Sequence, residues 1–264
     1  MKRVMSIATS DSGAGAGIQA DLKAFLRCSV YGTTAIVATT AQNTVGVTDI
    51  YAFPPQVAVE QIEAVVSDIG ADAVKTGMLF NTGIISAVAQ AIDRLKLPNL
   101  VVDPVMVAES GAVLLEPDAV ETYKNELFPL ATAITPNINE AFALLGEEPD
   151  EERIEDCAVT LHSLGPKAVI ITGGHTASGA DLLYDGERFT RIEGPVHPSH
   201  NTHGAGCTHS SALASFLALG HDLEEATHQA RAVASEAVEY GLDEIGTGAG
   251  PVHTLGKVLE RVEA

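Results

Sequence analysis

The fold is decided by residues 4–39, which read VMSIATSDSGAGAGIQADLKAFLRCSVYGTTAIVAT. Residues 4–9 and 33–39 are short runs rich in β-forming side chains, whereas residues 17–27 carry apolar side chains at helical spacing. A glycine-rich turn joins the first run to the helical stretch. Strand, helix and strand in this order predict a βαβ unit with two parallel strands.

The same alternation continues along the chain. Further strands are predicted over residues 73–75, 100–102, 133–135 and 168–172, and further helices over residues 55–67, 82–95, 118–127, 137–145, 151–164, 205–219 and 223–240. We therefore expect an α/β fold with a mostly parallel central sheet and helices on both faces. Residues 182–184 and 188–192 flank Asp185-Gly186, a hairpin signal that predicts an antiparallel edge. Since the sequence contains no internal repeat and no Pro/Gly/Ser-rich linker, we expect a single domain over residues 1–264.

Composition excludes several classes of protein. The 264 residues include 35 acidic and 15 basic side chains, a net charge of −20 that repels nucleic acids and anionic membrane surfaces. The apolar runs are far shorter than the ~20 residues that span a bilayer, and the first residues lack the apolar core of a signal peptide. The 3 cysteines suggest no disulfide framework. We expect a cytoplasmic protein without nucleic-acid or membrane partners.

The first candidate site is the glycine-rich turn of residues 10–21. Small residues at the start of a helix let backbone N–H groups approach a polar or anionic ligand. Residues 15–20, GAGIQA, also match the dinucleotide pattern G-x-G-x-x-A, but the next strand ends without the acidic residue that would bind the ribose. A nicotinamide site is therefore disfavoured, and the turn is either a wall of a small-molecule pocket or a tight turn only. The sequence contains no G-x-x-x-x-G-K-[ST] loop for a nucleotide.

The second candidate site is NTHGAGCT, residues 201–208, at the start of the helix predicted over residues 205–219. Its backbone N–H groups can stabilise developing negative charge, and we expect the same field to lower the pKa of the Cys207 thiol. Cys207 is then a base or a nucleophile; the alternative is a buried structural cysteine. A metal site is the third possibility, because four histidines surround Cys207 in sequence, although at spacings unusual for zinc. These are His197, His200, His203 and His209.

Two isolated carboxylates complete the set. Asp103 follows the strand predicted over residues 100–102, and Glu140 lies one turn into the helix predicted over residues 137–145. Ligands of open parallel sheets bind at the carboxyl ends of the strands, where such carboxylates can hold Mg²⁺ beside a phosphate. The alternatives are a turn aspartate before Pro104 and a glutamate that favours the helix dipole.

Taken together, these motifs resemble the hydroxymethylpyrimidine/phosphomethylpyrimidine kinases of thiamine biosynthesis, members of the ribokinase-like superfamily. The matching motifs are Ser10-Asp11, Gly15-Ala16-Gly17-Ile18-Gln19-Ala20-Asp21-Leu22-Lys23, Ala41-Gln42-Asn43-Thr44 with Gly46-Val47, Lys75 with Gly77-Met78-Leu79, Asp103 with Val105-Met106, Ser110-Gly111, Thr135-Pro136-Asn137 with Glu140-Ala141, Gly173-Gly174-His175, Asn201-Thr202-His203-Gly204 with Gly206-Cys207-Thr208, and Gly250-Pro251-Val252-His253. The resemblance covers nearly the whole chain. It implies a ribokinase-like three-layer α/β/α sandwich, a homodimer, and transfer of the γ-phosphoryl group of ATP with Mg²⁺.

The resemblance also implies roles for single residues. Asp21, Gln42, Met78 and Val105 would line the pyrimidine pocket, where the Gln42 amide answers both donor and acceptor on the aminopyrimidine edge. Cys207 would remove the hydroxymethyl proton while the backbone N–H groups of residues 204–206, Gly204, Ala205 and Gly206, steady the phosphoryl group. Asp103 and Glu140 would organise magnesium and phosphate.

Two positions differ from the family pattern. Thr9 places a side chain in the substrate pocket where the family usually has glycine, and Thr172 stands where a lysine usually precedes Gly-Gly-His.

From the motifs as a whole, we expect a kinase acting on 4-amino-5-hydroxymethyl-2-methylpyrimidine and then on its monophosphate. The alternatives are a pyridoxal or pyridoxine kinase, and a catalytically impaired pyrimidine-binding protein.

Overall fold

The computed structural model describes residues 1–108, 111, 114–116, 118–175 and 179–263. Ser110 of the Ser110-Gly111 motif lies outside the described residues. Within them, the strands form one nine-stranded sheet of order β3-β2-β1-β4-β5-β6-β7-β8-β9. The strands are β1 (Arg3–Asp11), β2 (Tyr31–Gln42), β3 (Val47–Ala52), β4 (Ala73–Thr76), β5 (Leu100–Val102), β6 (Ala133–Ile134), β7 (Val169–Ile171), β8 (Asp181–Tyr184) and β9 (Phe189–Ile192).

The helices lie where the periodicity predicts them, except for the last one along the chain, which was not predicted. They are α1 (Gly17–Arg27), α2 (Pro55–Asp68), α3 (Thr82–Leu95), α4 (Ala119–Thr122), α5 (Ile138–Leu145), α6 (Ile154–His162), α7 (Ala205–Leu219), α8 (Leu223–Glu239) and α9 (Gly256–Glu263). Among the described residues, no helix is long and apolar enough to cross a membrane.

The predicted α/β fold is confirmed, including its antiparallel edge. Strands β1, β2, β4, β5, β6 and β7 pair in parallel, and β8 and β9 close one edge as the predicted hairpin. The opposite edge holds β3, which pairs antiparallel with β2 and was not predicted. Most of its side chains are exposed, so its sequence lacks the apolar alternation of a half-buried strand.

The helix predicted over residues 118–127 differs from the structure. Only Ala119–Thr122 is α-helical, and a π-helical turn, Tyr123–Leu127, follows it. The Tyr123 side chain is fully buried, and its hydroxyl donates to the Gly77 carbonyl oxygen at 3.3 Å. Pro129 lies in the short turn that follows, Phe128–Leu130, and cannot supply a backbone N–H to a continuing helix. The wider turn therefore places the tyrosine under the loop after β4.

Each central strand is buried on both faces, as in other parallel sheets. Met5 and Val74 belong to the core covered by α2, α3, α5 and α6, whereas their neighbours Val4 and Ala73 pack beneath α1, α7 and α8. On this second face, Ser6 and Lys75 share one register and interrupt the apolar layer. The sheet thus carries two polar side chains directly below the amino-terminal ends of α1 and α7.

Candidate active site

A cavity of about 290 Å³ opens at the carboxyl ends of the parallel strands. Both glycine-rich turns contribute to its wall, together with most of the residues predicted to form a site. The predicted residues that line it are Thr9, Gln42, Met78, Asp103, Val105, Glu140, Gly204, Ala205, Gly206 and Cys207. The structure therefore brings ten of the predicted positions, from distant parts of the chain, to one cavity.

Asp11 organises the first glycine-rich turn. Its carboxylate accepts hydrogen bonds from the backbone N–H groups of Gly13, Gly15 and Ala16 at 2.7, 3.0 and 2.9 Å. The His203 Nε2 atom lies 3.2 Å from the same carboxylate. Burial opposes ionisation of Asp11, but the bonds from His203 and the backbone hold its pKa below the usual value. An ionised Asp11 therefore ties the first turn to the second.

Close backbone contact between the two turns requires glycine. Gly204, the residue before α7, has a φ of +89°, and a Cβ there would collide with the Gly15 carbonyl oxygen. Gly17 has a φ of +58°, and a Cβ there would collide with the Thr9 carbonyl oxygen. Only residues without a side chain allow this approach. The first turn thus packs directly on the start of α7.

Gln42 lies at the end of β2, where its amide lines the cavity. Its Oε1 atom accepts a hydrogen bond from the Thr40 hydroxyl at 3.0 Å, and its Nε2 atom lies 3.5 Å from His203 Nε2. Ser12 holds the backbone, because its hydroxyl donates to the Gln42 carbonyl oxygen at 2.7 Å. The side chain is therefore oriented, with one oxygen lone pair already used.

Thr9, Met78 and Val105 line the same cavity as Gln42. The Thr9 side chain is buried, and its hydroxyl donates to the Met78 carbonyl oxygen at 3.0 Å. The threonine therefore fills space at the end of β1 and also fixes the loop after β4.

Asp21 requires a correction, because it does not line the cavity. Its side chain is fully buried in α1 and is surrounded by hydrogen-bond donors. Ser211 donates to Oδ1 at 2.8 Å, Lys75 donates to the same oxygen at 2.8 Å, and Ser6 donates to Oδ2 at 2.5 Å. The carboxylate has no free face for a substrate, and it instead holds Lys75.

Asp103 and Glu140 both line the cavity, as predicted. Ser210 donates to Asp103 at 2.8 Å, and burial raises the pKa of Asp103 even though the charge of Lys75 opposes it. Glu140 forms a capping box with Asn137 at the start of α5. Burial, and then the charge of Asp103, raise the pKa of Glu140 to about 8. Glu140 is therefore mostly protonated at neutral pH, and a cation bound between the two side chains would favour its ionised form.

Cys207 lies in the first turn of α7 and lines the cavity, but its ionisation differs from the prediction. Burial raises the pKa of the Cys207 thiol to about 12, and the Lys75 ammonium opposes this shift only in part. Loss of hydration therefore outweighs the field of the helix amino terminus, contrary to the expected lowering. The thiol is protonated at neutral pH in the ligand-free protein.

The histidines around Cys207 do not converge on one point. Ser235 lies 2.9 Å from His197 Nε2, Asp11 lies beside His203, and Asp181 lies 3.0 Å from His209 Nε2. His200 is exposed. In the described part of the chain, no three His, Cys, Asp or Glu side chains are placed to hold a metal ion.

A further part of the cavity wall was missed from the sequence. It continues past Thr172 to Asp181 of β8, to Pro195 and Val196 after β9, and to Arg231, Ala234 and Val238 of α8. His209 of α7, considered from the sequence only as a metal ligand, lines this end as well. Arg231 donates to the Gly179 carbonyl oxygen at 2.6 Å and brings a guanidinium group to this end. Asp181 stands at the start of the predicted hairpin. Its position near the sheet edge was the one signal in the sequence that could have placed this residue at the cavity.

Comparisons with known proteins agree with this geometry. A family model described as phosphomethylpyrimidine kinase matches residues 11–253. The chain is 44% identical over 261 residues to the hydroxymethylpyrimidine/phosphomethylpyrimidine kinase of Haemophilus influenzae, covering 96% of each chain. It is 46% identical over 255 residues to the thiamine biosynthesis bifunctional protein ThiED of Geobacter sulfurreducens, covering 96% of this chain but only 52% of that one. The chain therefore spans about half of that bifunctional relative.

Solved structures show the same architecture. The pyridoxal kinase of Bacillus subtilis, solved as an ADP complex, superposes with a TM-score of 0.90 at 35% identity over 98% of this chain and 99% of that one. The phosphomethylpyrimidine kinase of Clostridium difficile superposes with a TM-score of 0.80 at 38% identity over 90% of this chain and 100% of that one. The resemblance inferred from the motifs is confirmed.

Proposed function

The chain belongs to the phosphomethylpyrimidine kinase family, and we propose that it is an ATP-dependent kinase of thiamine biosynthesis. Its substrate is 4-amino-5-hydroxymethyl-2-methylpyrimidine and then the monophosphate of that alcohol, which it converts to the diphosphate. The observation that carries this proposal is the shared cavity: the Gln42 amide and the Cys207 thiol line the same space, together with the backbone of residues 204–206.

Gln42, Met78, Val105 and Thr9 are the residues that we propose for substrate binding. The free Nε2 hydrogen and the second lone pair of Oε1 of Gln42 can meet an acceptor and a donor on the aminopyrimidine edge. Met78 and Val105 supply apolar surface for the ring. Thr9 narrows the cavity near Met78, because its side chain is held by a hydrogen bond to the loop after β4.

The transfer joins the substrate hydroxymethyl oxygen to the γ-phosphorus of ATP as the bond between that phosphorus and the leaving ADP oxygen breaks. We propose that the hydroxyl proton passes to the sulfur of Cys207 in its thiolate form, which becomes the thiol. The N–H groups of Gly204, Ala205 and Gly206, at the start of α7, stabilise the charge on the phosphoryl oxygens. Positioning and charge stabilisation supply most of the acceleration in such reactions, so a weakly ionised base is compatible with turnover.

Asp103 and Glu140 are the residues that would hold Mg²⁺. The charge of Asp103 raises the proton affinity of Glu140. Such a pair of carboxylates suits this ion, which takes one or two protein carboxylates and completes its shell with water and phosphate oxygens. When bound, the ion neutralises phosphate charge.

The proposed function is tested by measuring ADP release with the aminopyrimidine alcohol and with pyridoxal as separate substrates. We expect at least about tenfold higher kcat/KM for the aminopyrimidine, with the diphosphate as final product by mass spectrometry. A preference for pyridoxal would instead identify a pyridoxal kinase, the second candidate. The structural similarity to a pyridoxal kinase, with a TM-score of 0.90, is the observation that supports this candidate. Tight pyrimidine binding without ADP release would identify the impaired binding protein instead.

The role of Cys207 is tested by Cys207→Ala, with Cys28→Ala as the matched control. Cys28 is buried in the core under α1 and does not line the cavity. We expect Cys207→Ala to lower kcat by at least about two orders of magnitude, the usual range for a lost general base. Pyrimidine affinity by calorimetry should stay within about threefold. Equal kcat in both variants would remove the base assignment.

We also propose that the chain acts as a single domain and as a homodimer in the cytoplasm. One sheet runs through both halves of the described chain, and the 3 cysteines are free thiols, which suits a reducing compartment. Analytical ultracentrifugation tests the dimer: a monomer at micromolar concentration would exclude it.

A further inference from the structure

Lys75 is a buried cation that the proposed mechanism leaves without a role. Among the residues that the structure describes, it is the one lysine or arginine that is buried, and its side chain is 0% exposed. It stands on β4 between Val74 and Thr76, on the face covered by α1 and α7. Removing an ammonium group from water is costly, so such a group persists only where partners compensate it.

The surrounding elements hold this ammonium group in place. Asp21 of α1 lies 2.8 Å from Lys75 Nζ, and Asp103 after β5 lies 3.8 Å from it. Asp21 is itself fixed by Ser6 of β1 and Ser211 of α7. The charge therefore has one defined position.

The loop after β4 leaves room for the ammonium group. A Cβ at Gly77 would lie 2.8 Å from Lys75 Nζ, closer than real Cβ atoms approach a neighbour. Side chains from β1, α1, α7 and the loop after β5, together with Gly77, therefore fix one buried charge. A side chain that only fills space in the core would not require these partners.

The ammonium group acts toward the cavity. Lys75 and Cys207 both line the cavity, whereas Asp21 lies behind Lys75 and does not. Three charged side chains influence the thiol: Lys75 from β4, Asp103 from the loop after β5 and Asp21 from α1. Both carboxylates oppose a negative charge on the sulfur. Of the three, only Lys75 favours it, assisted by the Gly17 backbone N–H.

Resting on the proposed function, we propose that Lys75 is a positioning residue whose ammonium group, fixed by Asp21, supplies the positive charge that stabilises the anionic sulfur of Cys207 for phosphoryl transfer. In the step it supports, the thiolate takes the substrate hydroxyl proton and becomes a thiol. The hydroxyl oxygen bonds to the γ-phosphorus as the bond to the ADP oxygen breaks. Lys75 keeps its three protons throughout.

The test measures the thiol directly and needs no turnover. The rate of Cys207 alkylation by iodoacetamide is followed by peptide mass spectrometry on the ligand-free full chain between pH 7 and 9, because only the thiolate reacts. We expect Lys75→Met to slow this reaction at least about tenfold, which corresponds to one unit of pKa. Lys75→Arg, which keeps the charge, should restore most of the rate. The control, Lys167→Met, removes an exposed lysine and should change nothing.

Asp21→Asn gives a prediction of opposite sign. The amide oxygen of the asparagine can still accept a hydrogen bond from Lys75, but the negative charge that opposes the thiolate is gone, so alkylation of Cys207 should be faster. General loosening of the site by either variant would instead move both rates in one direction. Equal rates in Lys75→Met and the unsubstituted protein would overturn the proposal. Should Lys75→Met fail to fold, Asp21→Asn decides, and a rate equal to or below that of the unsubstituted protein overturns it.

Steady-state kinetics separate this proposal from the proposed function. Lys75→Met should lower kcat more than tenfold with the KM for the pyrimidine within threefold, and Lys75→Arg should recover part of kcat. If the unsubstituted protein phosphorylates no pyrimidine, the proposed function is wrong. The alkylation rates still test whether Lys75 stabilises the Cys207 thiolate, because they do not depend on turnover. If kcat falls but alkylation is unchanged, Lys75 does not act through Cys207 and the proposal is overturned.

Discussion

Gly204→Ala is the substitution whose effect can be worked out most fully from the structure. Gly204 has a φ of +89°, and a Cβ there collides with the Gly15 carbonyl oxygen. The matched control is Gly220→Ala at the other end of α7, where φ is +97° and nothing lies within 4 Å of the added carbon. Both variants have the same backbone strain, and only the first has the collision.

The magnitudes differ accordingly. The positive φ costs an alanine about 1–2 kcal/mol, so Gly220→Ala should lower the free energy of unfolding by about that amount. Forcing an extra carbon against a packed neighbour adds about 1–3 kcal/mol, so Gly204→Ala should lose about 2–5 kcal/mol in all. Because the collision also displaces the N–H groups at the start of α7, kcat should fall about 100-fold, the effect of one lost donor at a developing charge.

Urea unfolding followed by circular dichroism gives the stability change, provided that the slopes of the transitions agree. Steady-state ADP release gives kcat. If Gly204→Ala and Gly220→Ala match in both measurements, the two turns are not in the tight contact described here. The assignment of the N–H groups to phosphoryl stabilisation would then lose its basis.

Three further expectations concern binding, acid stability and salt. Gln42→Met should weaken pyrimidine binding by about 1–3 kcal/mol, because ring polar groups lose their partner; unchanged affinity by calorimetry would place the pocket elsewhere. Hydrogen bonds from Arg3 hold the pKa of Asp72 well below its usual value of 3.8, so Asp72 stabilises the fold above that pH, and this stabilisation is lost as the pH falls further. In Asp72→Asn, the free energy of unfolding should therefore decrease less steeply between pH 5 and 2 than in the unsubstituted protein. The same dependence on pH in both proteins would show that the Arg3–Asp72 pair contributes nothing. The net charge of −20 should make the melting temperature rise from low to molar salt, and an unchanged melting temperature would contradict self-repulsion.

The sequence carried enough information for the strand and helix order because the central strands are short apolar runs between helical periods. Helices α1, α3 and α7 begin and end where the periodicity predicts. The sequence carried too little information to predict β3, because an edge strand with mostly exposed side chains need not alternate apolar and polar residues. It also could not show the π-helical turn or the hydrogen bond from Tyr123 to Gly77, which lie 46 positions apart in the chain.

For the candidate site, the sequence predicted which residues meet but not how deeply each is buried. Cys207 shows this, because the field at the start of a helix can be inferred from sequence whereas its loss of hydration cannot. Asp21 shows it as well. Its position on the apolar side of α1, beside the buried Ile18 and Phe25, was a signal for a buried carboxylate with a cationic partner. Lys75 within an apolar strand was the matching signal, but 54 positions separate the two.

The contact between the two glycine-rich turns also constrains synthesis of the protein. Asp11 and His203 are 192 positions apart, and Asp21 and Ser211 are 190 positions apart. A nascent chain that has emerged only as far as β9 contains all nine described strands of the sheet, yet it lacks α7, which contributes to the cavity wall. Ligands that bind this cavity therefore stabilise only chains that have emerged past α7, and shorter translation products gain no protection from them.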